Sequence, residues 1–418
     1  MPNESQSKLD ENSRKNSLPE KIAFVLFCAT SVQFALFTSF VPIIKGVKVD
    51  IYSGALCAIT LSCAILATKA KCVKIAWTEL VISGVLLTLA ILSAVSSVTP
   101  WSSTIWSLTW GANALGGYWA ARLLLTSQLR FTIFVWLCAI SLDLLLTLRL
   151  WGYYFGSLNS YFGFDAHLLV NIILLLSFAS LALIISRKIL GIIFGISLLL
   201  ISYAALYVCA LGGVESALLI PPIILALALI FTLSKFKSKL APLIVMLFAV
   251  AVSAHYLSSV TTEAYHDKHF QQERLEYYAF SAHILKQSPW IGIGLRTPRT
   301  PYLADYTLWH PSYSKEEFAT FLSYAPWPHN ILLAFALGFG LPFAAIYLFA
   351  LVLLVIRLFR AAISPRPDSF VPPFALLIPI TGAILHFMIM DLLFIPTIAW
   401  FFHILLALIP EPLPKRLE

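Results

Sequence analysis

From residue 22 to residue 260 the sequence is a near-unbroken succession of apolar runs, each about as long as a helix that crosses lipid. Roughly 20 mostly apolar residues are needed to span a hydrocarbon core. Three more such runs follow a polar stretch over 261–327. Charged residues make up 11% of the 418 and hydrophobic residues 60%, with a mean hydropathy of +0.87. Soluble domains carry about 25% charged residues, so no soluble surface can be assembled from this stock. The chain reads as an all-α integral membrane protein with about twelve transmembrane helices and one helical loop outside the bilayer.

The expected spans are 22–44, 49–68, 75–97, 103–121, 131–150, 167–185, 189–210, 215–233, 241–260, 328–356, 371–390 and 392–410. They divide the chain into a polar tail over 1–20, nine helices over 21–260, a large loop over 261–327, three helices over 328–410 and a short tail over 411–418. The first tail lacks the short apolar core and small-residue cleavage site of a secretory signal, so the first apolar run reads as a retained helix and the tail as disordered. The weakest span is 103–121, which carries serines, threonines, Asn113 and the Gly116-Gly117 pair. The last two spans form a tight hairpin that turns near Asp391.

Charge fixes the expected orientation. With the N-terminus in the cytoplasm, nineteen of the 28 Lys and Arg fall on the cytoplasmic side and only Lys45, Lys48 and Arg149 on the short outer connections. The other six lie in the long loop, which translocates largely regardless of charge. Both termini are therefore expected inside and 261–327 outside. The net charge of +8 sets topology and does not point to a nucleic-acid partner. Six cysteines lie in or beside apolar runs, with no CxxC pair, so neither disulfides nor a thiolate metal site is expected.

The loop is the one stretch long and polar enough to build an extramembrane structure. Leu275, Tyr278, Ala282 and Leu285 recur at helical spacing, which predicts a helix from about Tyr265 to Lys286. A turn-rich run from Ile291 to Arg299 follows, then a second short helix over Lys315 to Tyr324. Trp290, Tyr302, Tyr306, Trp309, Tyr313, Tyr324 and Trp327 make the loop aromatic. Such rings suit a sugar site or an interfacial belt, and both readings stay open. The loop closes on Pro328-His329-Asn330, where Pro328 suits the first turn of a helix. His329 would then lie at a helix N-terminus, whose dipole disfavours imidazolium and attracts anions. It reads either as a neutral general base or as a hydrogen-bonded interfacial histidine.

Ionisable groups inside spans are costly and are functional candidates. Asp143 is the clearest, His386 and Asp391 follow, and Glu79 near a cytoplasmic end and His403 on a packed face come after them. Asp143 is expected to pair with an arginine of another helix; a coupling-ion site is the sharper alternative.

Four runs carry a family resemblance. The first is Glu273-Arg274-Leu275-Glu276-Tyr277-Tyr278 leading to Pro289-Trp290-Ile291-Gly292-Ile293-Gly294. The second is Pro328-His329-Asn330 with Gly338-Phe339-Gly340, the third Met390-Asp391-Leu392, and the fourth Leu211 to Leu219. Together they resemble the O-antigen ligases and their relatives, the O-antigen polymerases. The resemblance implies a glycosyltransferase C-type-like helical fold in the bacterial inner membrane. It also implies transfer of a glycan from an undecaprenyl diphosphate carrier to a lipid A–core hydroxyl on the periplasmic face, in lipopolysaccharide biosynthesis, without cofactor or metal. On that resemblance Arg274 engages the diphosphate, His329 assists the incoming hydroxyl and Asp391 orients the histidine or an arginine. Asn330, Arg296, Arg299, Arg149, Glu215 and Trp327 are the expected substrate-binding residues. Arginine's planar fork suits phosphate oxygens, and fixed positive charge stabilises a departing diphosphate. Glu215 stands where the family carries arginine, so either another cation substitutes or the chain belongs to a divergent branch with a different donor; Glu215 itself reads as a base or as the partner of an arginine. Arg149 is one such cation, or an anchor at the headgroups. The alternatives are a polymerase of the same superfamily, a lipid-linked glycan transporter, which would show paired repeats with broken helices, and a noncatalytic scaffold.

Overall fold

The computed structural model describes residues 18–37, 47–68, 76–97, 99–155, 166–186, 188–211, 268–295, 328–363, 370–388 and 392–410. Those residues are almost wholly helical. In chain order the helices are α1 (Leu18–Phe37), α2 (Val47–Thr68), α3 (Trp77–Val95), α4 (Pro100–Leu124), α5 (Gln128–Phe155), α6 (Ala166–Ile185), α7 (Ile189–Leu211), α8 (Lys268–Gln287), α9 (Ile331–Phe339), α10 (Leu341–Ile363), α11 (Pro373–Phe387) and α12 (Pro396–Ala407). A 3-10 turn over Leu392–Phe394 precedes α12. Six of them, α1, α3, α5, α6, α7 and α10, are long and apolar enough to cross a membrane, which makes this a multi-pass membrane protein. The expected spans 215–233 and 241–260 and the expected short helix over Lys315 to Tyr324 lie outside the described residues.

Ion pairs gather helix ends on one face. Glu20 at the start of α1 meets Arg130 at the start of α5, 2.6 Å apart and both buried. Glu79 at the start of α3 meets Arg122 at the end of α4 at 3.3 Å and Arg357 of α10 at 3.7 Å. Arg357 also donates from Nε to the carbonyl of Pro410 at 2.6 Å, closing the end of α12. A helix leaves its last carbonyls without internal partners, and the guanidinium satisfies them here. On the opposite face the end of α1 meets the start of α12, where Thr397 Oγ1 donates to Phe34 O at 3.4 Å. The chain therefore runs up and down between two faces. Asp143 makes no ion pair among the described residues, so the expected arginine partner is not found there.

The span with the weakest apolar signal is largely enclosed by other helices. Fifteen of the 25 residues of α4 are buried. It packs against α2, α3 and α12. Helices in lipid gain little from the hydrophobic effect between them and rely on close packing through small residues. At Gly117 an added Cβ would lie 2.9 Å from the Trp400 carbonyl, so α12 approaches α4 by backbone contact. Asn113 donates to Thr109 O at 2.7 Å and accepts from Cys57 Sγ at 3.0 Å. Its polarity is tolerated because neighbouring helices, not lipid, surround it.

An aromatic cluster sits beside this helix. The Trp110 ring lies 5.5 Å from each of Phe335, Phe339 and Phe343, and 6.2 Å from His403. His403 is buried, with Nδ1 2.7 Å from Ala399 O and Nε2 3.2 Å from the Tyr347 hydroxyl. This is the packed histidine expected from the sequence.

The expected single span over 328–356 is two helices. Phe335 of α9 and Tyr347 of α10 have ring centroids 4.7 Å apart. Twelve residues along one straight helix would separate them by about 18 Å. The chain therefore folds back on itself at Gly340, whose φ is 91°. The apolar pattern runs through the break unchanged, so periodicity alone could not reveal it.

Candidate functional site

The bend at Gly340 is held by the loop that precedes it. Pro289 follows the end of α8, and the run Pro289-Trp290-Ile291-Gly292-Ile293-Gly294 lies against the C-terminal end of α9. Ile293 N donates to Leu337 O at 2.7 Å and Gly294 N to Gly338 O at 3.2 Å. Ser93 Oγ, at the end of α3, donates to the same Gly338 carbonyl at 2.5 Å. Leu341 N, an orphan donor at the start of α10, donates to Pro289 O at 2.8 Å. Ser103 Oγ, at the start of α4, donates to Leu295 O at 3.1 Å. The orphan backbone groups of two helix ends are thus satisfied by one turn, fastened on both sides by serines.

This packing explains the glycines. At Gly292, φ 75°, an added Cβ would stand 2.5 Å from Leu337 O; at Gly340 it would collide with the Trp290 carbonyl. Backbone meets backbone, and only glycine also adopts these left-handed conformations readily. Trp290 itself turns outward, 71% exposed, a placement that suits an interfacial ring.

At the other end of α9 lie His329 and Asn330. The expectation that Pro328 opens the helix is corrected: Asn330 is the N-cap, and Pro328 and His329 precede it. Asn330 Oδ1 accepts from Leu332 N and Leu333 N, both at 3.1 Å. Asparagine is among the best capping residues because its short carbonyl reaches these two amides. Its Nδ2 donates to Met388 O at 3.2 Å, tying the start of α9 to the end of α11. The expected substrate-binding side chain of Asn330 is therefore engaged in holding two helix ends.

His329 is half-buried and has φ 50°, the one non-glycine residue with positive φ among the described residues. That conformation costs an L-residue roughly 1–2 kcal/mol. Strain of this kind persists where the surroundings fix it, often at functional sites. The fixing contacts are visible: the cap made by Asn330 and the Met388 carbonyl follow immediately.

Near this junction is a second polar pair. His386, in the last turn of α11, lies 2.8 Å through Nδ1 from Asn171 Nδ2 of α6, and both residues are fully buried. His386 is among the intramembrane candidates named from the sequence. Asn171 is not, although an amide within an apolar run is the same signal.

Of the remaining expected site residues, Arg274 lies on α8 and Arg149 on α5, with side chains outside the described residues. Asp391, Glu215, Arg296, Arg299 and Trp327 lie outside the described residues altogether. Helix α8 buries Phe280 and Ile284 and packs on α9. Helix α8, which bears Arg274, is therefore in contact with α9, the helix that follows His329.

A protein-family model described as O-Antigen ligase matches residues 172–348. The match supports assigning the chain to the O-antigen ligase family. It covers less than half of the chain, and it contains α8, the glycine turn, His329, Asn330 and the bend at Gly340. No curated protein matches the sequence. Members of the O-antigen ligase family are glycosyltransferase-like enzymes. The family assignment reaches the ligase and polymerase superfamily as a whole.

Proposed function

We propose that the protein is an O-antigen ligase. It transfers a glycan from an undecaprenyl diphosphate carrier to a hydroxyl of lipid A–core, at the periplasmic face of the bacterial inner membrane, with both termini cytoplasmic. The observation that carries this reading is the placement of His329. It stands in a strained conformation immediately before the N-terminus of a half-helix, within the segment that matches the ligase family.

In this reading the acceptor oxygen attacks the anomeric carbon of the glycan as its bond to the diphosphate oxygen breaks. His329 accepts the proton of the attacking hydroxyl, which requires a neutral ring in hydrogen-bond reach. The N-terminal end of α9 favours that neutral form and favours anions nearby. The diphosphate leaves on its lipid, and Arg274 pairs with the charge that gathers on it. Asp391 orients His329 or an arginine. Arg149, Arg296 and Arg299 supply positive charge where Glu215 does not, and Trp327 is assigned to binding the substrate. No metal or cofactor takes part in the proposed steps.

The test is reconstitution in liposomes with a polyprenyl diphosphate glycan and purified lipid A–core, followed by product analysis. Glycan joined to lipid A–core is the expected result. Lengthened carrier-linked glycan without core product would make the protein a polymerase. Movement of the lipid-linked glycan across the bilayer with no new glycosidic bond would reject both.

A further inference from the structure

Where α6 meets α11, an amide and an imidazole are enclosed together. Asn171 Nδ2 and His386 Nδ1 are 2.8 Å apart, 215 positions apart in sequence, and each residue is 0% exposed. With the amide nitrogen facing the ring, Asn171 donates and Nδ1 accepts. Polar side chains buried between apolar helices carry a desolvation cost that two leucines would not. The position of the pair suggests what it does.

His386 lies two residues before Met388, the residue that closes α11. Met388 N donates to Ile384 O at 3.1 Å, which ties Met388 to the last turn of α11. The Met388 carbonyl holds Asn330 Nδ2, and Asn330 caps α9 through Leu332 N and Leu333 N. A turn or slide of the end of α11 would carry the Met388 carbonyl away from Asn330, loosen the cap and release the backbone of His329. A hydrogen bond between buried groups resists that motion, because breaking it leaves two enclosed polar groups without this contact.

We propose that Asn171 and His386 are a positioning pair: their hydrogen bond locks the last turn of α11 against α6, and through Met388 and Asn330 holds His329 in place. The proposal rests on the reading of His329 as the base. It adds that the imidazole at 386 acts at a distance and does not touch the substrate.

The experiment uses the full-length protein in lipid nanodiscs, as wild type and as Asn171→Ala, Asn171→Leu, His386→Ala and His386→Gln. Asn171→Leu is close in size and suits an apolar span, so it keeps the test available if the alanine variants do not insert. Hydrogen exchange is read at the Leu332 and Leu333 amides, and transfer is read as kcat and as KM for the lipid-linked donor. The Asn171 variants and His386→Ala are expected to exchange at those amides at least tenfold faster. Their kcat should fall tenfold or more, with KM within twofold of wild type. His386→Gln, whose side-chain carbonyl can accept from Asn171, should recover most of both. Unchanged exchange in Asn171→Leu and His386→Ala would overturn the proposal, as would a raised KM with unchanged exchange. If the wild type forms no glycosidic bond, the transfer reading fails by itself, and the exchange rates still decide the lock.

Discussion

The Phe335 and Tyr347 rings meet edge to face at 4.7 Å, although twelve residues separate them along what the sequence presents as one apolar run. That contact exists because the chain reverses at Gly340. The reversal returns the start of α9, with His329 beside it, to the end of α11. The predictions below follow from the parts that hold this bend and its two ends.

Gly340 should tolerate no side chain. It has φ 91°, and a methyl there would strike the Trp290 carbonyl. Gly340→Ala is expected to lower stability by about 2 kcal/mol or more and to abolish glycan transfer. Gly84, with nothing within 4 Å of an added Cβ, is the control. Gly84→Ala should leave both unchanged or stabilise slightly. Thermal unfolding in detergent and the liposome transfer assay read the two effects.

Asn330 separates capping from anchoring. Asn330→Asp retains an acceptor for Leu332 N and Leu333 N but loses the donor to Met388 O. Asn330→Ala loses both, at a capping cost of about 1 kcal/mol. The aspartate variant should therefore remain nearly as stable as wild type while its transfer rate falls. Equal rates in wild type and Asn330→Asp, by single-turnover product formation, would show that the anchor is dispensable.

His329 should show a separation of stability from activity. His329→Gly relieves a left-handed conformation costing roughly 1–2 kcal/mol, partly offset by the entropy of glycine. Its melting temperature is expected to match or exceed that of wild type, with no transfer. Arg274→Ala is expected to insert normally and to lose transfer as well. A His329→Gly protein that still transfers glycan would remove the histidine from the mechanism.

Arg130 and Glu20 form a buried pair at 2.6 Å. Removing one member leaves the other charge enclosed, which costs about 3–5 kcal/mol. Arg130→Ala should reduce folded yield and unfolding midpoint strongly, and Glu20→Gln with Arg130→Gln together should cost less than Arg130→Ala alone. Equilibrium unfolding of the three proteins checks the order.

Much of the fold was legible because helix length in lipid is set by bilayer thickness. The expected 75–97 and 167–185 became Trp77–Val95 and Ala166–Ile185. The helix expected from Tyr265 to Lys286 became Lys268–Gln287. The polar character of 103–121 is visible in the sequence, but its cause is not: the polar residues of that helix face other helices, a fact of packing and not of composition. The bend at Gly340 was hidden for a similar reason. Its glycines stand out in the sequence, while the carbonyls that demand them belong to residues 45 and 50 positions away. His329 and Asn330 stood out by residue type. The Asn171 to His386 contact could not, since nothing local to either residue reports a partner 215 positions distant.

The stitch between the glycine turn and α9 is made of main-chain amides and carbonyls, with serines at its margins. Such a seam is blind to which side chains stand at Trp290, Ile291 and Ile293, provided the glycines stay. The face those side chains present can therefore drift through many sequences without loosening the bend beneath it. The outward face and the bend it covers are carried by separable materials: one written in side chains, the other in the backbone.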